Sequence, residues 1–189
     1  VYVINPKNGH VLAVVGGKNY EKSSYNRAIS SVRQPGSSIK PFLYLTALEN
    51  GFTVATTFMS EATTFYYNGE PYSPTNFQSI YAGFDISMAY ALATSDNIYA
   101  VKTHMFLGNE TLVNLARRVG ITEKLEAVPS LPLGTNEINI IQMAAGYASF
   151  ANLGYKVDGH LIEKVVDGNN NVIYERNNQK DLVLNSSLV

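Results

Sequence analysis

The chain has 189 residues, 46% hydrophobic and 15% charged, with 14 Lys+Arg against 15 Asp+Glu for a formal net charge of −1. That composition describes a folded domain with a sizeable core and argues against disorder and against a polyanionic partner such as nucleic acid. Zero cysteines exclude a disulfide framework, a thiol nucleophile and a thiolate metal site, and no apolar run approaches the ~18 residues of a membrane span.

Val1-Tyr2-Val3-Ile4 reads as a strand already under way, with no signal peptide before it. The chain is therefore expected to be a piece of a longer protein. Val1 to Ile4 and His10 to Val15 form a hairpin around the turn residues Asn5-Pro6-Lys7-Asn8-Gly9, ended by Gly16-Gly17. Ser23 to Arg33 is polar, a loop or short helix. A helix should then start near Gly36 or Ser37 and run to about Asn50, with Gly51 as its stop. Pro41 fixes that start, because proline is tolerated only where no carbonyl awaits its missing N–H.

Phe52 to Phe84 is rich in Thr, Tyr, Asn, Gly and Pro and predicts irregular structure with short strands around Asn68-Gly69. Asp85 or Ser87 can cap a short helix through Leu92. Thr94-Ser95-Asp96-Asn97 is a polar break, and Ile98 to Leu107 resumes as a helix stopped by Gly108. Asn109 is positioned to cap Glu110 to Val119, which Gly120 ends. After the loop Pro129 to Gly134, Asn139 caps Ile140 to Asn152, with Gln142 in a capping-box position. Small residues Ala144, Ala145, Gly146 and Ala148 suggest close packing there. A last hairpin, Leu161 to Val166 and Val172 to Glu175, turns at Asp167-Gly168-Asn169-Asn170. The class is α+β: a helical cluster flanked by strands that need partners.

Two patterns carry chemistry. Ser37 and Lys40 are three apart at a helix start, so they share a face, with the serine at the positive end. Serine becomes a nucleophile when a neutral lysine takes its proton, which requires burial or a nearby positive charge to lower the lysine pKa. Taken alone, the spacing is a weak pattern, and most such spacings are solvated helix surface. Ser95-Asp96-Asn97 supplies a hydroxyl and an amide at a break between helices, suited to passing a proton and holding an acyl group; its plain alternative is helix capping. His10, His104 and His160 look scattered, and no metal or cofactor is expected. Gly16-Gly17 lacks the remaining elements of a phosphate loop. Arg117-Arg118 reads as dipole complementation on a solvated helix end, and most of the tyrosines as core-edge residues.

Arg27-Ala28 with Arg33-Gln34-Pro35-Gly36-Ser37-Ser38-Ile39-Lys40-Pro41-Phe42 closely resembles the active-serine segment of class A (bifunctional) penicillin-binding proteins. Tyr72-Ser73-Pro74-Thr75-Asn76 resembles the family's Tyr-x-Pro-x-Asn element, and Leu92 to Asn97 its second motif. Pro129 to Ile138 is similar to the loop before the following helix, and Tyr147 to Gly154 to that helix's Phe-Ala-Asn-x-Gly ending. The resemblance covers nearly the whole chain. It implies an incomplete penicillin-binding/serine β-lactamase-like transpeptidase fold: the helical cluster plus part of the antiparallel sheet.

By the same resemblance, Ser37 is the nucleophile toward the D-Ala-D-Ala carbonyl of a peptidoglycan stem peptide, and its N–H is half of an oxyanion hole. Lys40 is the general base, Ser95 the proton relay and Asn97 a substrate contact. β-Lactams acylate the same serine. The third family motif, Lys-[Ser/Thr]-Gly, is missing; Lys102-Thr103-His104 resembles it in letters only. Residues 1–189 are thus expected to be the N-terminal part of a transpeptidase domain. The third-motif strand, the glycosyltransferase domain and the membrane anchor would lie outside the chain, and a second polypeptide carrying the rest of the domain is a candidate partner. The implied place is the extracytoplasmic face of a bacterial membrane. A carboxypeptidase or β-lactamase of the same fold, and a non-catalytic peptidoglycan- or β-lactam-binding module, are the alternative readings.

Overall fold

Helix α2 (Lys40–Glu49) lies at the centre of the core in the computed structural model, which describes residues 1–177 and 180–189. Seven of its ten residues are buried, Phe42, Leu43, Tyr44, Leu45 and Ala47 among them. A helix apolar on nearly all sides must be surrounded. Its neighbours are α3 (Met88–Thr94), α4 (Asn97–Leu107) and α5 (Glu110–Arg118). On a further side lies α6 (Ile140–Ala151). Gly146 of α6 is the contact point: a Cβ there would stand 3.0 Å from the Phe42 ring and 3.3 Å from Val119. Phe42 also packs edge-on against Tyr147 and tilted against Phe150, with ring centroids 5.1 Å away in both cases. Truncating Phe42 to alanine in such a setting costs about 3–5 kcal/mol.

The helix expected from Gly36 begins instead as a 3-10 turn, Gly36–Ile39, before α2 takes over at Lys40. Pro41 sits in the first turn of α2, as its missing donor requires. Gly51 ends the helix with φ +88°. The short helix α1 (Arg27–Ser30) is capped by the Asn26 side chain at Ala28 N–H. Ser87, rather than Asp85, caps α3, and Asp96 caps α4. Asn109 occupies the cap position of α5 in helical conformation, but its side chain makes no capping bond. Gln142 does not close a capping box. Its side-chain oxygen accepts from Thr122 N–H at 2.9 Å, tying α6 to the segment after α5, while Asn139 caps α6 alone.

Among the described residues the strands form five two-stranded antiparallel pairs. The hairpin of β1 (Tyr2–Ile4) and β2 (Val11–Val14) matches the sequence pattern and rests on α6. β3 (Val32–Arg33) pairs with β8 (Ile138–Asn139). β4 (Thr57–Met59) pairs with β7 (Asp85–Ser87), and β5 (Phe65–Tyr67) with β6 (Glu70–Tyr72) across Asn68-Gly69. β9 (Lys164–Val166) and β10 (Val172–Glu175) form the last hairpin, exposed along its length. Val1, Leu12 and Val15 on the first hairpin are also exposed. Strands with so little cover fit a sheet that is present only in part.

Arg118 is not the free surface residue its sequence context suggests. It forms a bidentate pair with Glu49 of α2 at 2.7 and 3.0 Å and donates to the Val183 carbonyl. One guanidinium thereby ties α5, α2 and the C-terminal segment together.

Candidate active site

Lys40 is among the largest fully buried side chains, 1% exposed, in a largely apolar core that also buries Asp96 and Asn76. A buried ammonium must have its protons satisfied. Nζ donates to the Ser95 carbonyl at 2.6 Å, to Asn97 Oδ1 at 2.7 Å and to Ser95 Oγ at 3.1 Å. Burial lowers its pKa from 10.5 to about 8, opposed by the nearby Asp96 carboxylate. Lys40, Ser95 and Asn97, named separately from sequence, thus meet at one nitrogen.

Ser37 lies on the 3-10 turn, where residues three apart eclipse one another more closely than on an α-helix. The Lys40 N–H donates to the Ser37 carbonyl, which closes this turn. Ser37 is exposed, and its backbone N–H lies in the first turn, where no intrahelical acceptor exists. The neighbouring Ser38 is already engaged: its hydroxyl donates to the Pro35 carbonyl at 2.7 Å. Ser37 is therefore the serine of this pair with a hydroxyl free of its own turn.

Two distant segments hold the turn in place. Gly134, φ +71°, packs on Gly36, φ +58°, so closely that a Cβ on Gly134 would overlap the Gly36 backbone. The Gly36 N–H donates to the Gly134 carbonyl at 3.3 Å. From α6, the Tyr147 hydroxyl donates to the Ser38 carbonyl at 2.7 Å.

The Ser95-Asp96-Asn97 segment is held as firmly. Ser95 is in the left-handed region, φ +56°, uncommon for a residue with a Cβ. Asp96 is buried and accepts from Tyr99 N–H at 2.7 Å, from Ser60 Oγ at 2.5 Å and from Asn76 Nδ2 at 2.7 Å. Asn76 returns its own oxygen to the N–H groups of Asn97 and Ile98, at 2.8 and 3.3 Å. Asn97 spends one amide proton on the Thr75 carbonyl at 2.7 Å, which aims its oxygen at Lys40 and leaves one proton to offer. Capping and contact with the lysine coexist here: Asp96 caps α4, and its neighbours on either side bond Lys40. Asn76, Gly134 and Tyr147 are the supports that residue-level reasoning assigned no role; only the family likeness of their segments drew attention to them.

Lys102-Thr103-His104 sits within α4. Lys102 donates to the Met59 carbonyl and Thr103 to the Tyr99 carbonyl, while His104 is buried with Nε2 3.1 Å from the Val128 carbonyl. The histidines are less scattered than their spacing suggests: His10 and His160 come together with Glu163, the group with metal-ligand spacing among the described residues.

The family description "Penicillin binding protein transpeptidase domain" matches residues 1–187. Penicillin-binding protein 2D of Bacillus subtilis is 48% identical over 183 residues, covering 96% of this chain and 26% of that protein. Penicillin-binding protein 1A of Aquifex aeolicus is 38% identical over 174 residues, covering 91% of this chain and 24% of its own length. The crystal structure of penicillin-binding protein 1A from Haemophilus influenzae superposes with a TM-score of 0.85 at 32% identity, over 95% of this chain and 27% of that one. The chain spans about a quarter of the length of the curated relatives it matches.

Proposed function

We propose a function from one premise: this chain belongs to the penicillin-binding protein transpeptidase domain family. Its part is the N-terminal portion of a serine-type D-Ala-D-Ala transpeptidase that cross-links peptidoglycan stem peptides and is acylated by β-lactams. The observation that carries this reading is the buried Lys40 amine, bonded to Ser95 and Asn97 at the base of the turn that presents Ser37.

In the proposed reaction Lys40 starts neutral. Its Nζ takes the Ser37 hydroxyl proton as Oγ attacks the penultimate D-alanine carbonyl, and charge gathers on the carbonyl oxygen near the Ser37 N–H. Ser95 Oγ, 3.1 Å from Nζ, passes a proton from the ammonium to the departing D-alanine nitrogen as the C–N bond breaks. An ester on Ser37 remains. An amine of a second stem peptide then attacks it, giving its proton back along the same path and restoring the serine. Asn97 holds Lys40 with its oxygen and has one N–H left for the acyl chain. The β-lactam follows the first half, its amide standing where the D-Ala-D-Ala bond stands.

The test is a fluorescent penicillin with the full-length protein carrying this chain, wild type against Ser37→Ala, followed by mass spectrometry. A stable adduct on Ser37, lost in the variant, is expected. An adduct on any other residue overturns the assignment.

A further inference from the structure

His10 closes the β1–β2 turn and His160 lies ahead of β9, yet the two form a parallel β-bridge. The His160 N–H donates to the Gly9 carbonyl at 2.9 Å, and the Val11 N–H donates to the His160 carbonyl at 3.0 Å. Gly9 permits the approach: with φ +79°, any side chain there would run into the Asp158 carbonyl. The two imidazoles cross edge-to-face with centroids 5.2 Å apart. Glu163, three residues after His160, sets Oε1 2.8 Å from His10 Nε2 and 2.6 Å from His160 Nε2. Three ligand atoms from two chain segments therefore converge, all within 4.8 Å of one another.

His160 Nδ1 lies 3.3 Å from the Asp158 carbonyl, which can only accept. In the tautomer that donates there, Nε2 turns its lone pair toward Glu163 Oε1 and His10 Nε2, the orientation that metal ligation uses.

We propose that His10 Nε2, His160 Nε2 and Glu163 Oε1 form a binding site for a borderline-soft divalent ion of the zinc type. Two imidazoles and one carboxylate are a donor set that zinc accepts, with a fourth position left for water. Imidazole disfavours magnesium and calcium as occupants. The Asp158 carbonyl on Nδ1 is the outer partner that ligating histidines ordinarily have. With metal–ligand bonds of about 2.0–2.1 Å, donors around a tetrahedral zinc stand roughly 3.3 Å apart, so the present gaps need to open by roughly 0.5–0.7 Å. His10 and Glu163 are about half exposed, which gives the ion a way in. Lys7, Lys156, Arg176 and Lys180 line the cleft beside Glu163 and oppose a dication, although Lys156 is paired with Asp158. A bound ion would staple the N-terminal hairpin to the segment entering β9.

The test uses the full-length protein stripped of metal by a chelator and titrated with cobalt(II), a zinc substitute whose four-coordinate complexes absorb visible light. Wild type is compared with His10→Gln and Glu163→Gln, both half-exposed positions, and far-ultraviolet circular dichroism confirms that each variant folds. One cobalt per chain, displaced by zinc and weakened at least ~10–100-fold in each variant, is expected. Absence of a wild-type-minus-variant cobalt spectrum, or unchanged affinity in both folded variants, overturns the site.

Discussion

Lys40 Nζ donates its shortest bond, 2.6 Å, to a backbone carbonyl, that of Ser95, whose φ of +56° departs from the right-handed norm. A left-handed residue with a Cβ costs about 1–3 kcal/mol. A hydrogen bond to a charged group returns about 1.5–3 kcal/mol. Strain and lysine therefore offset each other within one contact, and the Ser95 hydroxyl is held beside the amine as a result.

Ser95→Gly and Ser95→Ala separate the backbone from the hydroxyl. Both should slow penicillin acylation by roughly 10²-fold or more if the hydroxyl relays a proton. The glycine variant should melt higher than the alanine variant, by about 1 kcal/mol of stability, because only glycine adopts positive φ freely. Equal melting temperatures would show that the turn is unstrained, and unchanged acylation would remove Ser95 from the relay.

Lys40 should impose a pH profile. With its pKa near 8, roughly one amine in ten is neutral at pH 7, against about three in ten thousand for a free lysine. Acylation should rise about tenfold per pH unit below 8 and level above it, with no such limb in Lys40→Ala. Stability carries the same signature. Between pH 8 and about 10.5 the native state holds fewer protons than the unfolded chain, so stability rises with pH across that window. A profile without an inflection near 8 would exclude Lys40 as the base.

His104 should act in the opposite pH range. Burial lowers its pKa from 6.5 to about 4, beyond what the bond to Val128 restores, and Nδ1 is buried with no partner among the described residues. The unfolded chain takes up a proton below 6.5 that the native state refuses until about 4. Stability present above pH 6.5 is therefore lost as pH falls through that interval, by about 3 kcal/mol at most. Thermal melts at pH 7 and 5 should differ less in a folded His104→Gln variant; the same slope in both would assign the loss to other groups.

Gly134→Ala and Gly51→Ala both place a methyl at positive φ, but only the first has backbone in its way. Gly51 has open space at that position, whereas Gly134 faces Gly36. Gly51→Ala should cost about 1 kcal/mol with acylation retained. Gly134→Ala should cost more and displace the serine turn, visible as lost penicillin labelling under conditions where the protein remains folded. Labelling lost equally in both would show that the Gly36 contact is unimportant.

The local features of this fold were legible. Gly51, Gly108 and Gly120 mark helix ends, Ser87 and Asn139 cap where their spacing says, and Asn68-Gly69 turns a hairpin. Each depends on a few adjacent residues. The Ser37–Lys40 spacing was legible for the same reason. What escaped is non-local: the pairing of Val32-Arg33 with Ile138-Asn139, the Asn76 bridge to Asp96, and the meeting of His10 with His160. Nothing near those residues along the chain distinguishes them. The 3-10 opening of α2 also escaped, since it depends on Gly134 pressing on Gly36.

The Gly36–Gly134 contact also sets a clock. A ribosome adding about 5–20 residues per second needs roughly 5–20 s to travel from one glycine to the other, and Tyr147, which holds Ser38 from 109 positions away, emerges later still. Until then the serine turn has no scaffold, so the nascent chain carries Ser37 as an ordinary flexible hydroxyl. Closure over so long a loop is an entropically late step, and the turn that presents Ser37 is set only once the helical cluster has formed around it.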